Sequence, residues 1–390
     1  MDEQREREDP VIAVSCQGWL HVVSARFRRR WHPRRFRPWS IFGKHLVQTA
    51  DVSFAMGAIR ILKPGRVYEL AHTLVDREFS FRPDHRRDNA LLHEECPAQA
   101  LAADNDLLPE PSLLNIIGYA FARAAQLAPI QIHSVELNVN HLHVTFSVTR
   151  TQLVWVPSFL RIAFSLIATA INRRLEREGH LFAGKARITE VGDDDSAQQK
   201  VLYGMTNAVK DGMTESTKRS PLFNTYRIQA LGQPQKYWAI DWTAFGVAGG
   251  SGRKTHTPKN YLRWCELVIH PLPGMEAMTD LQRRTFFRKR VQELEAFQAQ
   301  EIKDAGRRFM TVDELFALDP RGRPKERRRK TPKPRVHASS AELRKAIIEE
   351  NREIEKAHRK ASIAYLAGEP DVVFPEGTYK PPIIRPVWSG

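Results

Sequence analysis

From residue 141 to residue 148 apolar and polar side chains alternate without interruption. Leu142, Val144, Phe146 and Val148 point to one side, His141, His143, Thr145 and Ser147 to the other. This period of two predicts a half-buried antiparallel strand whose odd-numbered face is free to hold an ion or a ligand. A strand over 67–75, a helix over 112–127, a strand over 130–137 and the turn Asn138-Val139-Asn140 precede it. A helix beginning at Pro157 follows, and its Leu160, Phe164, Ile167 and Ile171 recur at core-packing spacing. Strand, helix, hairpin and helix in that order predict an α+β sandwich, an antiparallel central sheet with helices on its faces.

A further helix is expected over 196–210, because Asp193-Asp194-Asp195-Ser196 can cap and charge its N-terminus. At about 100° per residue, Gln198, Val201, Leu202, Met205, Ala208 and Val209 gather on one side. Tyr203 and Asn207 fall nearly opposite, within about 40° of each other. Tyr203 is therefore not placed as a core tyrosine, although a half-exposed tyrosine on a solvated face has the same spacing. Charge-laced amphipathic helices over 280–304 and 341–366 read as packing or partner elements.

Two imidazoles on one strand face can share a divalent cation, yet a solvated strand also carries two histidines by chance. The two segments taken together, His141-Leu142-His143 and then Tyr203-Gly204-Met205-Thr206-Asn207, change the picture. In this order and separation they resemble the single-tyrosine transposases of the His-hydrophobe-His endonuclease superfamily, the IS200-like and REP-associated branch. The likeness runs over about 63–221 and takes in Pro64-Gly65-Arg66-Val67-Tyr68, Ile171-Asn172-Arg173-Arg174 and Gly179-His180-Leu181-Phe182. Ala208 stands where that family usually has a proline after the asparagine, a helix position and not a reacting group. The tail Phe374-Pro375-Glu376-Gly377-Thr378-Tyr379 also looks like that of longer members.

The resemblance implies a ferredoxin-like antiparallel sheet flanked by helices, with a mostly helical C-terminal extension. It also implies a Mg²⁺ or Mn²⁺ ion held by His141, His143 and Asn207, with Tyr203 as the catalytic nucleophile. The reaction it implies is transesterification on single-stranded DNA near hairpin or palindromic elements, through a 5′-phosphotyrosine and a free 3′-OH. Two other readings stay open: a catalytically inactive, domesticated DNA-binding protein of the same fold, and a replication-initiator or relaxase-type nickase. Monomer and homodimer are both compatible with the sequence.

Composition adds the surroundings. With 42% hydrophobic and 27% charged residues the chain has ordinary globular balance. Cys16, Cys96 and Cys265 are far apart and form no metal or disulfide spacing. The start Met1-Asp2-Glu3-Gln4-Arg5 lacks a secretory pattern. The apolar stretch 160–171 is short and interrupted by Arg161. A soluble protein of the bacterial cytoplasm, associated with the nucleoid, is the expectation. Gly249-Gly250-Ser251-Gly252-Arg253-Lys254 lacks the spacing and context of a phosphate-binding loop.

The formal charge of +15 sits in two arms, +7 over residues 26–37 and +8 over residues 321–335, so the remainder of the chain is neutral. These features divide the chain into a basic, aromatic extension (1–57), a catalytic domain (58–225), an accessory aromatic and helical region (226–320), a basic proline-rich linker (321–336) and a C-terminal helix and tail (337–390). Candidate DNA contacts are Arg28, Arg29, Arg30, Trp31, Arg34 and Arg35 in the first arm, with Arg173, Arg174 and Lys185 in the catalytic domain. Guanidinium groups would meet phosphates, and unpaired bases would stack on rings such as Trp31. A solvated leader has the same composition.

Neutralising several arginines between residues 26 and 37 is expected to weaken binding to all single-stranded DNA alike. The log-log salt slope should flatten by roughly 0.7 for each phosphate that the arm no longer neutralises. An unchanged slope in a salt titration would make this arm a solvated leader.

Overall fold

The computed structural model describes residues 61–73, 111–138, 141–174, 179–182, 186–249, 257–317 and 336–381, all within the unit Ala50–Gly390. Residues Arg28, Arg29, Arg30, Trp31, Arg34, Arg35 and Lys185, the arm 26–37 and the linker stretch 321–335 lie outside the described residues. The chain forms β1 (Val67–Thr73), α1 (Leu113–Leu127), β2 (Gln131–Leu137), β3 (His141–Ser147), α2 (Val156–Arg174), β4 (Arg187–Val191) and α3 (Asp194–Lys210). It continues with β5 (Lys236–Ile240), β6 (Leu262–Glu266), α4 (Asp280–Asp304), β7 (Val336–His337) and α5 (Ala341–Leu366), joined by short helical turns.

The main sheet has the order β2-β3-β1-β4-β7. Its first four strands are antiparallel, but β7 runs parallel to β4, so the sheet is mixed and not wholly antiparallel as expected. The expected 67–75, 112–127, 130–137 and 196–210 elements correspond to β1, α1, β2 and α3, whereas β4 and β7 had no sequence counterpart. The region after residue 225 is not only helical. It also supplies the antiparallel pair β5-β6, which packs on α1, and the edge strand β7.

One sheet face is apolar because the even residues of β3 meet Tyr68, Leu70, Ile132, Val135 and Ile188 there, under α1 and α2. Phe146 and Leu142 are fully buried, and truncating such a side chain to alanine typically costs about 2–5 kcal/mol. Helix α2 extends with its preceding turn over Leu153–Arg174, longer than the expected apolar stretch, and by length and composition alone it could cross a membrane. Its Val156, Phe159, Leu160, Ala163, Ile167 and Ile171 recur at helical spacing and belong to this core.

The other face, whose odd β3 positions were expected to be free to hold an ion or a ligand, is covered over most of its length. Val67 and Val191 of the sheet pack with Ala197, Val201, Leu202 and Met205 of α3, which in turn pack with Phe287 and Val291 of α4. Thr145 and Ser147 are consequently buried, and only the His141/His143 end of β3 keeps partial exposure. Asp193 caps α3 by accepting from the Ser196 amide (2.8 Å) and also accepts from the Ser339 amide (2.8 Å), which ties the residues after β7 to the start of α3.

The bulged residue His133 is buried between the His270 carbonyl (3.1 Å) and the Ser147 hydroxyl (2.8 Å). Burial pushes its pKa down from 6.5 to about 4, so it stays neutral in the fold. Between these two values the unfolded chain binds a proton that the fold does not, and this group's contribution to stability is lost as pH falls. The difference in Tm between wild type and His133→Gln is therefore expected to shrink as pH is lowered from about 7 to about 4.5. A constant difference would mean that His133 titrates normally in the fold.

Candidate active site

The strand register brings polar groups around His143 from both neighbours. On β2 its cross-strand partner is Glu136, and on β1 it is Ala71. The small side chain of Ala71 leaves room for Glu69, one pleat further along the same face, to reach diagonally across. Glu69 Oε1 accepts from His143 Nδ1 at 3.1 Å. Its Oε2 is shared by Lys200 of α3 (3.2 Å) and by His337 Nε2 of β7 (3.0 Å). Burial opposes the charge on Glu69, but the hydrogen bonds from His143 and His337 and the nearby Lys200 outweigh it. They hold the carboxyl well below the usual carboxylate range.

Glu136 is in the opposite state. Complete burial pushes its pKa up to about 8, even though the hydroxyls of Thr225 and Ser134 each donate to it at 2.9 Å. At neutral pH the negative charge next to the histidines is therefore that of Glu69.

His141 and His143 have ring centroids 4.8 Å apart in an edge-to-face arrangement. His141 Nε2 lies 3.2 Å from Asn138 Nδ2, which donates to it. A cavity of about 10 Å³, space for about one water, is lined by Glu136, Asn138 and His143 on the sheet side and by Gly204, Met205 and Ala208 of α3 on the other.

Helix α3 lies across these residues. Lys200 reaches Glu69, and Gly204 lies so close to Glu136 that an added Cβ would stand 3.0 Å from its Oε2. Tyr203, between Lys200 and Gly204 in sequence, is 40% exposed. The ammonium of Lys210 is 4.6 Å from its ring centroid and that of Lys200 is 5.8 Å. Asn207 is buried, 5% exposed, where the helical period had set it away from the apolar side. The sheet on one flank and α4 on the other widen the covered arc of α3. Asn207, about 60° round from Gly204 and about 40° from Tyr203, falls inside that arc. Arg173 stacks on Trp242, 3.7 Å from the ring centroid, and Arg174 donates to the Pro111 carbonyl at 2.8 Å. Both lie at the C-terminal end of α2, with Arg173 exposed and Arg174 half-buried.

The donors suit a divalent cation in one respect that the structure displays. With Nδ1 of His143 donated to a carboxylate, its Nε2 is left as the ligating nitrogen, the usual arrangement behind a metal-bound histidine. At His141 a cation would replace the Asn138 amide at Nε2. With the Asn207 oxygen expected from the sequence resemblance as a third ligand, the two imidazoles would form a borderline set, better matched to Mn²⁺ than to the harder Mg²⁺. Among the described residues no cluster of three or more His, Cys, Asp or Glu side chains forms a metal site on its own. Glu69, Glu136, Asn138, Lys200 and His337 were absent from the site expected from sequence. Lys200, one turn before Tyr203, could have been found by helical spacing, and Glu69 only with the β1-β3 register.

The chain matches no protein-family model and no curated protein. Among solved structures it is similar to a REP-associated tyrosine transposase bound to a REP hairpin, with 13% identity and a TM-score of 0.30, over 44% of this chain and 83% of that one.

Glycine-to-alanine changes on helices usually stabilise by up to about 1 kcal/mol. At Gly204 the sign should reverse, because Glu136 is held by two hydroxyls and cannot give way. Gly204→Ala is expected to lose about 1–3 kcal/mol in urea unfolding, and a gain would mean that α3 is not seated on Glu136.

Proposed function

We propose that this chain is a DNA strand transferase that cuts and rejoins single-stranded DNA next to hairpins, with Tyr203 as the nucleophile. The observation that carries this reading is the pairing of His143, its Nδ1 anchored by Glu69, with a half-exposed tyrosine on the helix that crosses the same sheet face. The order β2-β3-β1-β4, with the two crossover helices packed together on the opposite face, supports the ferredoxin-like arrangement implied by the sequence resemblance.

In the forward step Tyr203 Oη attacks the phosphorus of a phosphodiester. A new P–O bond to tyrosine forms and the bond to the 3′ oxygen breaks. That oxygen takes up a proton from solvent as it leaves as a 3′-OH, and the phenol proton passes to solvent, so no net proton is gained or lost. Lys210 beside the ring draws the phosphate towards Tyr203 and offsets its negative charge, while Lys200 stays paired with Glu69. A divalent cation, Mn²⁺ or Mg²⁺, held by His141, His143 and the side-chain oxygen of Asn207 would supply Lewis-acid polarisation of the phosphate. Because the phosphotyrosine conserves the ester bond, attack by a second 3′-OH rejoins strands without a nucleotide cofactor.

Tyr203→Phe should abolish covalent protein-DNA adducts and leave single-stranded DNA binding within about threefold, since only the attacking oxygen is removed. His143→Ala should stop nicking through loss of the cation, and duplex DNA should be a poor substrate in the same gel assay. Adducts formed by Tyr203→Phe at the wild-type rate would assign the nucleophile elsewhere.

A further inference from the structure

Glu69 is 11% exposed and receives donors from three separate elements, β3, α3 and β7. Its two oxygens divide the work. Oε1 serves His143 and Oε2 serves Lys200 and His337 together. A carboxylate only accepts, so the ring nitrogen facing it must be the one that carries hydrogen. Hydrogen on Nδ1 of His143 is thereby fixed, and of the two neutral tautomers only the one with its lone pair on Nε2 meets this contact. Lys200 stands three residues before Tyr203, so the same carboxylate also holds the turn of α3 that presents the phenol.

We propose that Glu69 is the positioning residue of this site, orienting His143 through Nδ1 and fixing the Tyr203 turn through Lys200, with His337 bringing the C-terminal strand into the same assembly. The proposal rests on the strand-transferase reading for its purpose and on the hydrogen bonds for its content. A purely structural ion cluster would hold the elements together equally well. It would not, however, make the state of the His143 ring depend on the charge of residue 69.

The test uses the full chain labelled with ¹⁵N-histidine, without metal or DNA, and assigns the His143 ring signals by their loss in His143→Gln. The wild-type ring should carry hydrogen on Nδ1. In Glu69→Gln the amide can donate as well as accept, and the Nε2–H form should gain population. Mn²⁺ affinity, read by paramagnetic resonance titration, should fall about 10- to 100-fold in that variant. A wild-type His143 in the Nε2–H form overturns the proposal whether or not Glu69→Gln folds. So does a folded Glu69→Gln with unchanged tautomer and Mn²⁺ affinity within twofold. Because neither readout involves DNA, the two readings can fail separately. A shifted tautomer without any nicking counts against the strand-transferase reading alone, and Tyr203 adducts with an unshifted tautomer count against this proposal alone.

Discussion

A carboxylate placed under a helix loses water that it can replace only with donors, and Glu69 is the point where this constraint organises the molecule. Its three partners come from a strand, a helix and a strand near the far end of the described chain. Meeting that demand requires β3 to sit beside β1, α3 to cross the sheet with Lys200 facing down, and β7 to extend the sheet at β4. An ion cluster of this kind adds little stability over well-packed apolar side chains, while removal of one partner costs about 3–5 kcal/mol. Its contribution is therefore better understood as fixing geometry than as strengthening the fold.

The two glutamates that flank His143 show how environment divides identical side chains. Glu69 meets the Lys200 ammonium and two imidazole donors and remains ionised; Glu136 meets only the hydroxyls of Thr225 and Ser134 in a fully buried position and holds its proton. The histidine pair consequently sees one negative charge, on the side of β1, and a neutral wall on the side of β2. Helix α3 can lie close to that neutral wall because Gly204 has no side chain there, and this close seating places Tyr203 at the rim.

Local pattern made much of this legible in advance. The alternation over residues 141–147 is β3, the aspartates at 193–195 do cap and open α3, and of the apolar positions at 160, 164, 167 and 171 in α2 all are buried except Phe164, which packs half-buried against the same core. The remainder depends on register and long-range packing. β4 mixes Arg187 and Glu190 with Ile188 and Val191, so its alternation is weak, and β7 has two residues, too few for any period. The odd face of β3 reads as free to hold an ion or a ligand because nothing local reveals that α3 will cover most of it. Asn207 reads as exposed because a helix flanked on two sides buries more of its circumference than its apolar residues mark out.

The claim on which the mechanism turns is that Tyr203 forms a bond to phosphorus. Its tryptic peptide, residues 201–210, contains a single tyrosine, so the bond can be located directly. After incubation with Mn²⁺ and a single-stranded oligonucleotide bearing a hairpin, nuclease and trypsin digestion followed by tandem mass spectrometry should find that peptide carrying a nucleotide phosphate on Tyr203. A nucleotide phosphate on another residue, or nicked DNA with no attached peptide, would contradict the mechanism.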